Sequence, residues 1–504
     1  MSDMLKLLEA KNTAEIATRL AKATGGTVRV YPASIILAQG TGLAAVKVNG
    51  TRMVMAVPAA PAFKGTVYGD CLLAPWNAAN AAALAALLPW TRPTACGRER
   101  SSFGTGDRLG VAGPAHVRAL RAAGVFPVLA QQSMRELTQT DRSYREVVDA
   151  AGWAVFQEGY RDGFGADGDH LKKLEDIRTA VETGMRMITL DLSDKLRREA
   201  FDMDKEDLEA CFEDQFDDDE RETLLSEYEH KDFTLEVGGR KERLKFLRKD
   251  VLRNVICYYR GVEYAAEVYA YLEGAVAGKV DFEISIDEVG FPTTPKSHLF
   301  VACELEKRQI GVTSLAPCFV GEFQKAVDYR GDIAEFRRQL EFHCAIARAY
   351  GGYKVSIHSG SDKFAVYPAI GAVTRGLYHV KTAGTSWVEA MKAIALTRPA
   401  LYREVHACAL ASFAEAAKLY HVTTDLNRIP ALDTVADKDL AGLFNMDDAR
   451  QLIHITYGFI LRAKNADGTL RFRDRLYQAW DEEEDTHHKL VAEHIGQHLK
   501  LLKV

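Results

Sequence analysis

Residues 163–172 read Gly-Phe-Gly-Ala-Asp-Gly-Asp-His-Leu-Lys. Glycines that free the backbone are followed at once by two carboxylates, an imidazole and an amine. Asp167 and Asp169 have the chemistry to move protons, and His170 to hold a metal. The bland alternative is a polar turn with Asp169 capping the next helix. A second constellation lies far downstream, where His358 runs into Ser359-Gly-Ser-Asp-Lys363. Hydroxyls, backbone amides and an amine in that order suit an anionic group such as a carboxylate or phosphate.

Strand phase links the two. In a barrel strand alternate residues point inward, and function sits at the C-terminal end. With Val355 and Ile357 facing helices, Lys354, Ser356 and His358 face the interior, His358 topmost. The same phase turns Glu283, Ser285 and Asp287 inward in one segment, and His379 and Lys381 in another. Glu322 follows the Thr313-Ser-Leu-Ala-Pro segment. An inward histidine is more often a satisfied core residue than a ligand, whereas a buried lysine without a partner is costly. The recurrence across strands carries the reading; no single residue does. Other motifs are weaker. Gly104 to Gly110 resembles a phosphate turn without the full dinucleotide spacing, and Gln131-Gln132 suits either substrate hydroxyls or a helix cap. Ser359 has no nucleophile elbow, which disfavours acyl transfer.

Such residues need a scaffold that gathers strand ends. Apolar β-rich segments at 101–104, 125–130, 163–169, 187–192, 282–287, 311–315, 353–358 and 377–382 alternate with amphipathic helical ones. Eight such segments predict an α/β fold, a (β/α)8 TIM-type barrel over residues 98–410, with an open doubly wound sheet as the competing arrangement. Residues 1–97 read as a small N-terminal α+β cap, with Asn49-Gly50 marking a hairpin. Residues 195–265 or thereabouts read as a mostly helical insertion whose acidic run is a solvated face. Residues 411–504 read as a mostly helical extension.

Composition narrows the classes. The 504 residues are 47% hydrophobic and 27% charged, ordinary for a soluble globular chain with a large core and more than one domain. A net charge of −6 argues against a nucleic-acid partner. Eight scattered cysteines without a Cys-x-x-Cys pair suit reduced thiols in the cytoplasm. No secretory leader and no apolar run of about 18 residues is found, so a membrane partner is not expected.

The stretches 163–172, 281–295, 314–328, 358–371, 379–387 and 420–430 together resemble the tagaturonate/fructuronate epimerase family, over roughly residues 100–460. Ser-Ile-His-Ser-Gly-Ser-Asp-Lys-Phe is the most specific match. The resemblance implies a metal-dependent isomerase of hexuronate catabolism, interconverting D-tagaturonate and D-fructuronate in the cytoplasm, with the small hexuronate as partner and a homo-oligomer left open. A more distant likeness is to class II aldolases, where an Asp-His pair ends one strand and a second His precedes a Gly/Ser anion loop. It implies His170 and His358 as ligands of a divalent cation, with manganese, nickel, zinc, cobalt and iron all open. This chain has no obvious third His ligand; Glu322 is taken in its place, with Asp287 and Glu288 as rivals. Asp169 and Asp287 are then acid and base, while Ser359, Ser361 and Lys363 hold the carboxylate with help from Lys381. The inverted carbon is β to the ketone, so α-deprotonation cannot invert it. Retro-aldol cleavage, transient oxidation by a bound nicotinamide and direct deprotonation remain, and the aldolase likeness favours the first. The competing functions are a metal-dependent aldolase or ketose epimerase on another sugar acid, and a non-catalytic sugar-acid-binding barrel.

Overall fold

A computed structural model describes residues 3–276, 278–288 and 290–503. They divide into two compact units, one of residues 1–94, 104–166 and 383–497, the other of residues 95–103, 167–382 and 498–504.

The first unit begins with two helices, Asp3–Glu9 and Thr13–Thr24, on an antiparallel sheet. Its strands run in the order Val28–Val30, Thr41–Val48, Thr51–Val57, Cys71–Pro75 and Thr66–Tyr68, with Ile36–Ala38 pairing on Thr41–Val48. Leu8, Ile16 and Leu20 cover one face through Val46, Met55 and Leu73. Leu84, Trp153 and Phe156 cover the other through Leu43, Ala45 and Val54. Burial on both faces explains why these strands read as apolar runs instead of alternating. Asn49 and Gly50 turn the hairpin with φ of 47° and 79°, the mirror-image geometry that matches strand twist. The end of the chain supplies helices Pro399–Ala417, Asp447–Ile455, Arg473–Glu482 and Glu484–Leu501. Trp387, Tyr457 and Trp480 centre their core.

Eight strands close into a barrel. In chain order they are β1 (Ser102–Thr105), β2 (Phe126–Ser133), β3 (Gly165–Leu171), β4 (Met187–Asp191), β5 (Asp281–Ile286), β6 (Ser314–Pro317), β7 (Lys354–Ile357) and β8 (Tyr378–Thr382), and they neighbour one another in that order. Each overlaps the segment expected from the sequence, so the barrel stands and the open sheet is excluded. The connections are the helices expected of crossovers, among them Pro295–Lys307 after β5 and Ile333–Ala349 after β6.

The stretch read as a helical insertion holds a hairpin besides its helices. Helices Lys205–Gln215 and Asp218–Tyr228 are followed by a hairpin, Asp232–Val237 paired with Arg240–Lys245. Leu235 and Val237 are buried while their neighbours are exposed, a period of two. Gly238 and Gly239 turn the chain with φ of 56° and 81°. A 29-residue helix, Arg248–Val276, then returns to β5. Among the described residues no helix is long and apolar enough to cross a membrane.

Candidate active site

The C-terminal ends of β3, β4, β5, β7 and β8 bring their inward residues together within the second unit. Regular alternation would aim Asp169 and His170 at opposite faces. The structure departs from it. The pairing of β3 with β4 slips between Ile188 and Leu190, and His170 has φ of 53°. An extra residue in one strand re-aims the side chain that follows, so Asp169 and His170 serve the same interior. The rings of His170 and His358 lie 4.7 Å apart. One ligand atom each from His170, Asp287 and His358 falls within 4.8 Å of the others.

Below them sits one ammonium. Lys381 Nζ is 2.8 Å from Asp167, 2.8 Å from Asp169 and 2.9 Å from Glu283, and also meets Thr189. Thr189 donates to Asp167 at 3.0 Å, and Ser314 donates to Glu283 at 2.5 Å. Glu283 reaches upward as well, 2.7 Å from His358 Nε2. The other ring nitrogen, Nδ1, is buried 3.2 Å from Asp287 but makes no hydrogen bond. His170 Nδ1 is 3.4 Å from Asp191.

Burial opposes charge on every group here, and the neighbours decide the outcome. At His358 they outweigh burial: Asp287 and Glu283 push the imidazole up to about 10. Asp169 and Asp191 raise His170 against the same penalty. Lys381 overcomes burial at Asp169, with help from both imidazoles, and holds that carboxyl down to about 2. Asp167 goes the other way, raised by burial and by the adjacent Asp169 and Glu283 in spite of Lys381.

The donors fit a divalent cation. An imidazole with one nitrogen on a carboxylate and the other buried and unbonded is arranged as a metal-binding histidine is. Imidazole and carboxylate ligands suit zinc, manganese, iron, cobalt or nickel. Charge points the same way. Asp167, Asp169 and Glu283 share Lys381 as their ammonium partner, while Asp287 faces the imidazoles. With the imidazoles neutral, as ligation requires, negative charge is left in excess.

The residues expected to carry chemistry divide into two groups. His170, His358, Asp169, Asp287 and Lys381 converge. Glu322 does not: it lies exposed in the loop after β6, bonded to the side chain of Gln324 and paired through its backbone with Arg330. Asp287 is the carboxylate that lies with His170 and His358, while Glu288 belongs to a neighbouring group with His170 and Asp191. Lys363, expected to hold the substrate carboxylate, is bonded within the protein. Its buried ammonium donates to the carbonyls of Gln324, Val327 and Ser361 at 2.8, 2.6 and 2.8 Å, so it ties two loops together. Ser361 enters that tie through its carbonyl. Ser359 Oγ accepts from Lys325 at 3.0 Å. The glycine turn at 104–110 is closed by its own Asp107, which accepts from the amides of Leu109, Gly110 and Ala112. Gln131 and Gln132 end β2 with buried side-chain amides that make no hydrogen bond. Sequence reasoning missed Thr189 and Asp191, although the apolar Ile188 and Leu190 that alternate with them carry the same signal of phase.

A profile of the tagaturonate epimerase family (UxaE) matches residues 35–502. A tagaturonate/fructuronate epimerase of Thermotoga maritima is 43% identical over 427 residues, 85% of each chain. Crystal structures of the fructuronate-tagaturonate epimerase UxaE from Cohnella laeviribosi superpose closely. The form with one glycerol has a TM-score of 0.92 at 43% identity, covering 97% of this chain and 99% of that one. The native form has a TM-score of 0.91 over the same shares. The chain belongs to the tagaturonate epimerase family.

Proposed function

We propose that this protein interconverts D-tagaturonate and D-fructuronate in cytoplasmic hexuronate catabolism, with a divalent cation held by His170, His358 and Asp287. The observation that carries the reading is the convergence of those three side chains at the strand ends of a chain belonging to this family. When bound, the cation supplies Lewis-acid polarisation of the substrate ketone.

The side chains do the rest. Asp169, kept ionised by Lys381, accepts the proton of the hydroxyl on the inverted carbon. The bond between that carbon and the α carbon then breaks, and its electron pair passes to the ketone oxygen. An enediolate and a three-carbon aldehyde acid result. The aldehyde turns its other face, the bond re-forms, and Asp169 returns the proton to the new alkoxide. Glu283 holds the His358 ring in place throughout, and Lys381 offsets the charge of the carboxylates beneath.

The test strips the purified protein with a chelator, reloads it with manganese, nickel, zinc, cobalt or iron, and follows fructuronate becoming tagaturonate. Conversion is expected only in a reloaded form, and His358→Ala should lose activity and bound metal together. Full activity in metal-stripped His358→Ala ends the metal assignment. In heavy water the inverted carbon should keep its hydrogen; deuterium at that carbon would replace carbon–carbon cleavage with direct deprotonation.

A further inference from the structure

Gln131 and Gln132 end β2 and belong neither to the cation-binding group nor to the groups that move protons. Their residue type suits a helix cap or a contact with substrate hydroxyls, and the cap is taken. Ser133 precedes the helix Met134–Thr140, and its Oγ accepts from the amide of Glu136 at 3.3 Å. Both glutamine side chains are buried, and among the described residues neither the nitrogen nor the oxygen of either amide finds a hydrogen-bond partner. Protein interiors seldom leave a polar group so, because its lost hydration is not made good.

The two glutamines face opposite ways. Alternation puts Gln132 in phase with Phe126, Val128 and Ala130, and Gln131 in phase with Leu129. The first phase is the interior one. A Cβ on Gly165 would lie 3.0 Å from the Val128 side chain and 3.3 Å from that of Phe126. Gly165 shares the phase of Asp167, the carboxylate that Lys381 meets inside the barrel. Gln132 is therefore the topmost interior residue of β2, at the strand end where a (β/α)8 barrel keeps its substrate-binding groups.

We propose that Gln132 binds hydroxyl groups of the hexuronate chain, its Nε2 donating to one hydroxyl oxygen and its Oε1 accepting from a neighbouring hydroxyl. The inference rests on the hexuronate reading above and deepens it by naming a residue that reads the sugar hydroxyls.

The chemistry of the amide selects this ligand. A carboxylate only accepts, so it would satisfy the amide nitrogen and leave the oxygen bare. An ammonium only donates, with the opposite result. A hydroxyl does both, and hydroxyls on consecutive carbons present a donor and an acceptor side by side, as the two ends of an amide require. Both hexuronates carry such pairs. The amide also neither gains nor loses a proton near neutral pH, so it holds the chain without competing with Asp169 for the proton that moves.

The experiment measures fructuronate kinetics, bound metal and melting temperature in manganese-loaded Gln132→Met, Gln132→Leu and Gln131→Met. Losing a neutral hydrogen-bonded contact should raise KM about 3- to 10-fold in both Gln132 variants, with kcat falling far less. Bound metal should not change. Melting temperature should hold or rise, because the amide bonds nothing in the fold and an apolar side chain of similar size leaves no polar group buried. A structural role would give the reverse, a lowered melting temperature with KM unmoved. Gln131→Met, on the other face, should keep the KM of the unaltered protein. An unchanged KM in both Gln132 variants overturns the proposal, as does a lowered melting temperature or loss of folding in both. A rise in KM in Gln131→Met equal to that in Gln132→Met overturns the assignment to the interior face. If the unaltered protein interconverts the two hexuronates, these failures strike this inference alone. If it does not, the hexuronate reading falls and takes this inference with it.

Discussion

In the unit that includes residues 1–94, Lys47 lies 2.9 Å from Glu484 and 3.3 Å from Asp481, and Arg52 lies 3.6 and 3.9 Å from the same two carboxylates. Two cations face two anions, and Tyr31 donates to Glu484 at 2.9 Å. In the other unit one ammonium, that of Lys381, meets Asp167, Asp169 and Glu283, with Asp287 close above beside His358. The second cluster is buried and the first half-buried around a buried Glu484, and with both imidazoles neutral only the first is balanced. A balanced cluster fixes which surfaces meet and needs nothing further. An unbalanced one, with an unbonded imidazole nitrogen facing its excess charge, is built to take up a cation. Buried charge by itself therefore says little about function; the sign left over is the informative quantity.

The sharpest way to break this comparison is to remove a cation from each cluster. Lys381→Met leaves three buried carboxylates without their ammonium, and truncating one partner of a buried ion pair costs about 3–5 kcal/mol. Thermal melting should show the protein barely folded or insoluble. Lys47→Met, whose carboxylates keep Arg52, should melt much closer to the unaltered protein. Equal losses would erase the distinction between the clusters.

A gentler change sharpens the cation-binding side. Glu283→Gln keeps the size of the side chain that orients His358 but removes its charge. Loss of an outer carboxylate partner weakens metal binding about 10- to 100-fold. Competition with a fluorescent chelator should show that loss while the circular dichroism spectrum stays unchanged. Undiminished affinity would mean that Glu283 does not position His358.

Acid should act on the balanced cluster in a defined window. Burial works against the Glu484 carboxylate, but Arg52 and Lys47 overcome it and hold the group down to about 2. A depressed carboxyl contributes its full stability above its unfolded value, about 4.3. The contribution is lost as pH falls from there toward 2. Between pH 5 and pH 2.5 the unaltered protein should therefore lose more melting temperature than Glu484→Gln, by the equivalent of about 2 kcal/mol. Parallel curves would show that Glu484 is not held ionised by its neighbours.

Much of this was legible in the sequence, and the failures have physical causes. All eight barrel strands could be read, because apolar β-rich segments alternate with amphipathic helical ones, and some, such as Phe282-Glu-Ile-Ser-Ile, also separate apolar from polar residues by phase. Alternation could not show that Asp169 and His170 face the same interior, since that depends on a slipped register and a left-handed His170. Residue type left Glu322 the preferred third ligand, with Asp287 and Glu288 as rivals. The path of the loop after β6 places Glu322 apart from the two imidazoles. No spacing rule tells that the Lys363 amine is spent on carbonyls. The hairpin at 232–245 was obscured by charged residues on its exposed face, although Gly238-Gly239 marked its turn.

The smallest expected effect falls on Tyr31. Its hydroxyl donates to both oxygens of Glu484, at 3.1 and 2.9 Å. Tyr31→Phe removes one donor but leaves the carboxylate with Lys47 and Arg52, so no buried charge is stranded. The cost should be that of a single hydrogen bond to a charged group that keeps other partners, about 1 kcal/mol near neutral pH. The bond matters most while Glu484 is ionised, so the difference in melting temperature between the two proteins should shrink as pH falls toward 2. Fructuronate kinetics and metal content should not change, because Tyr31 belongs to the balanced cluster. A shift in KM or in bound metal on losing that hydroxyl would show that the two clusters are coupled, and the contrast drawn between them would have to be given up.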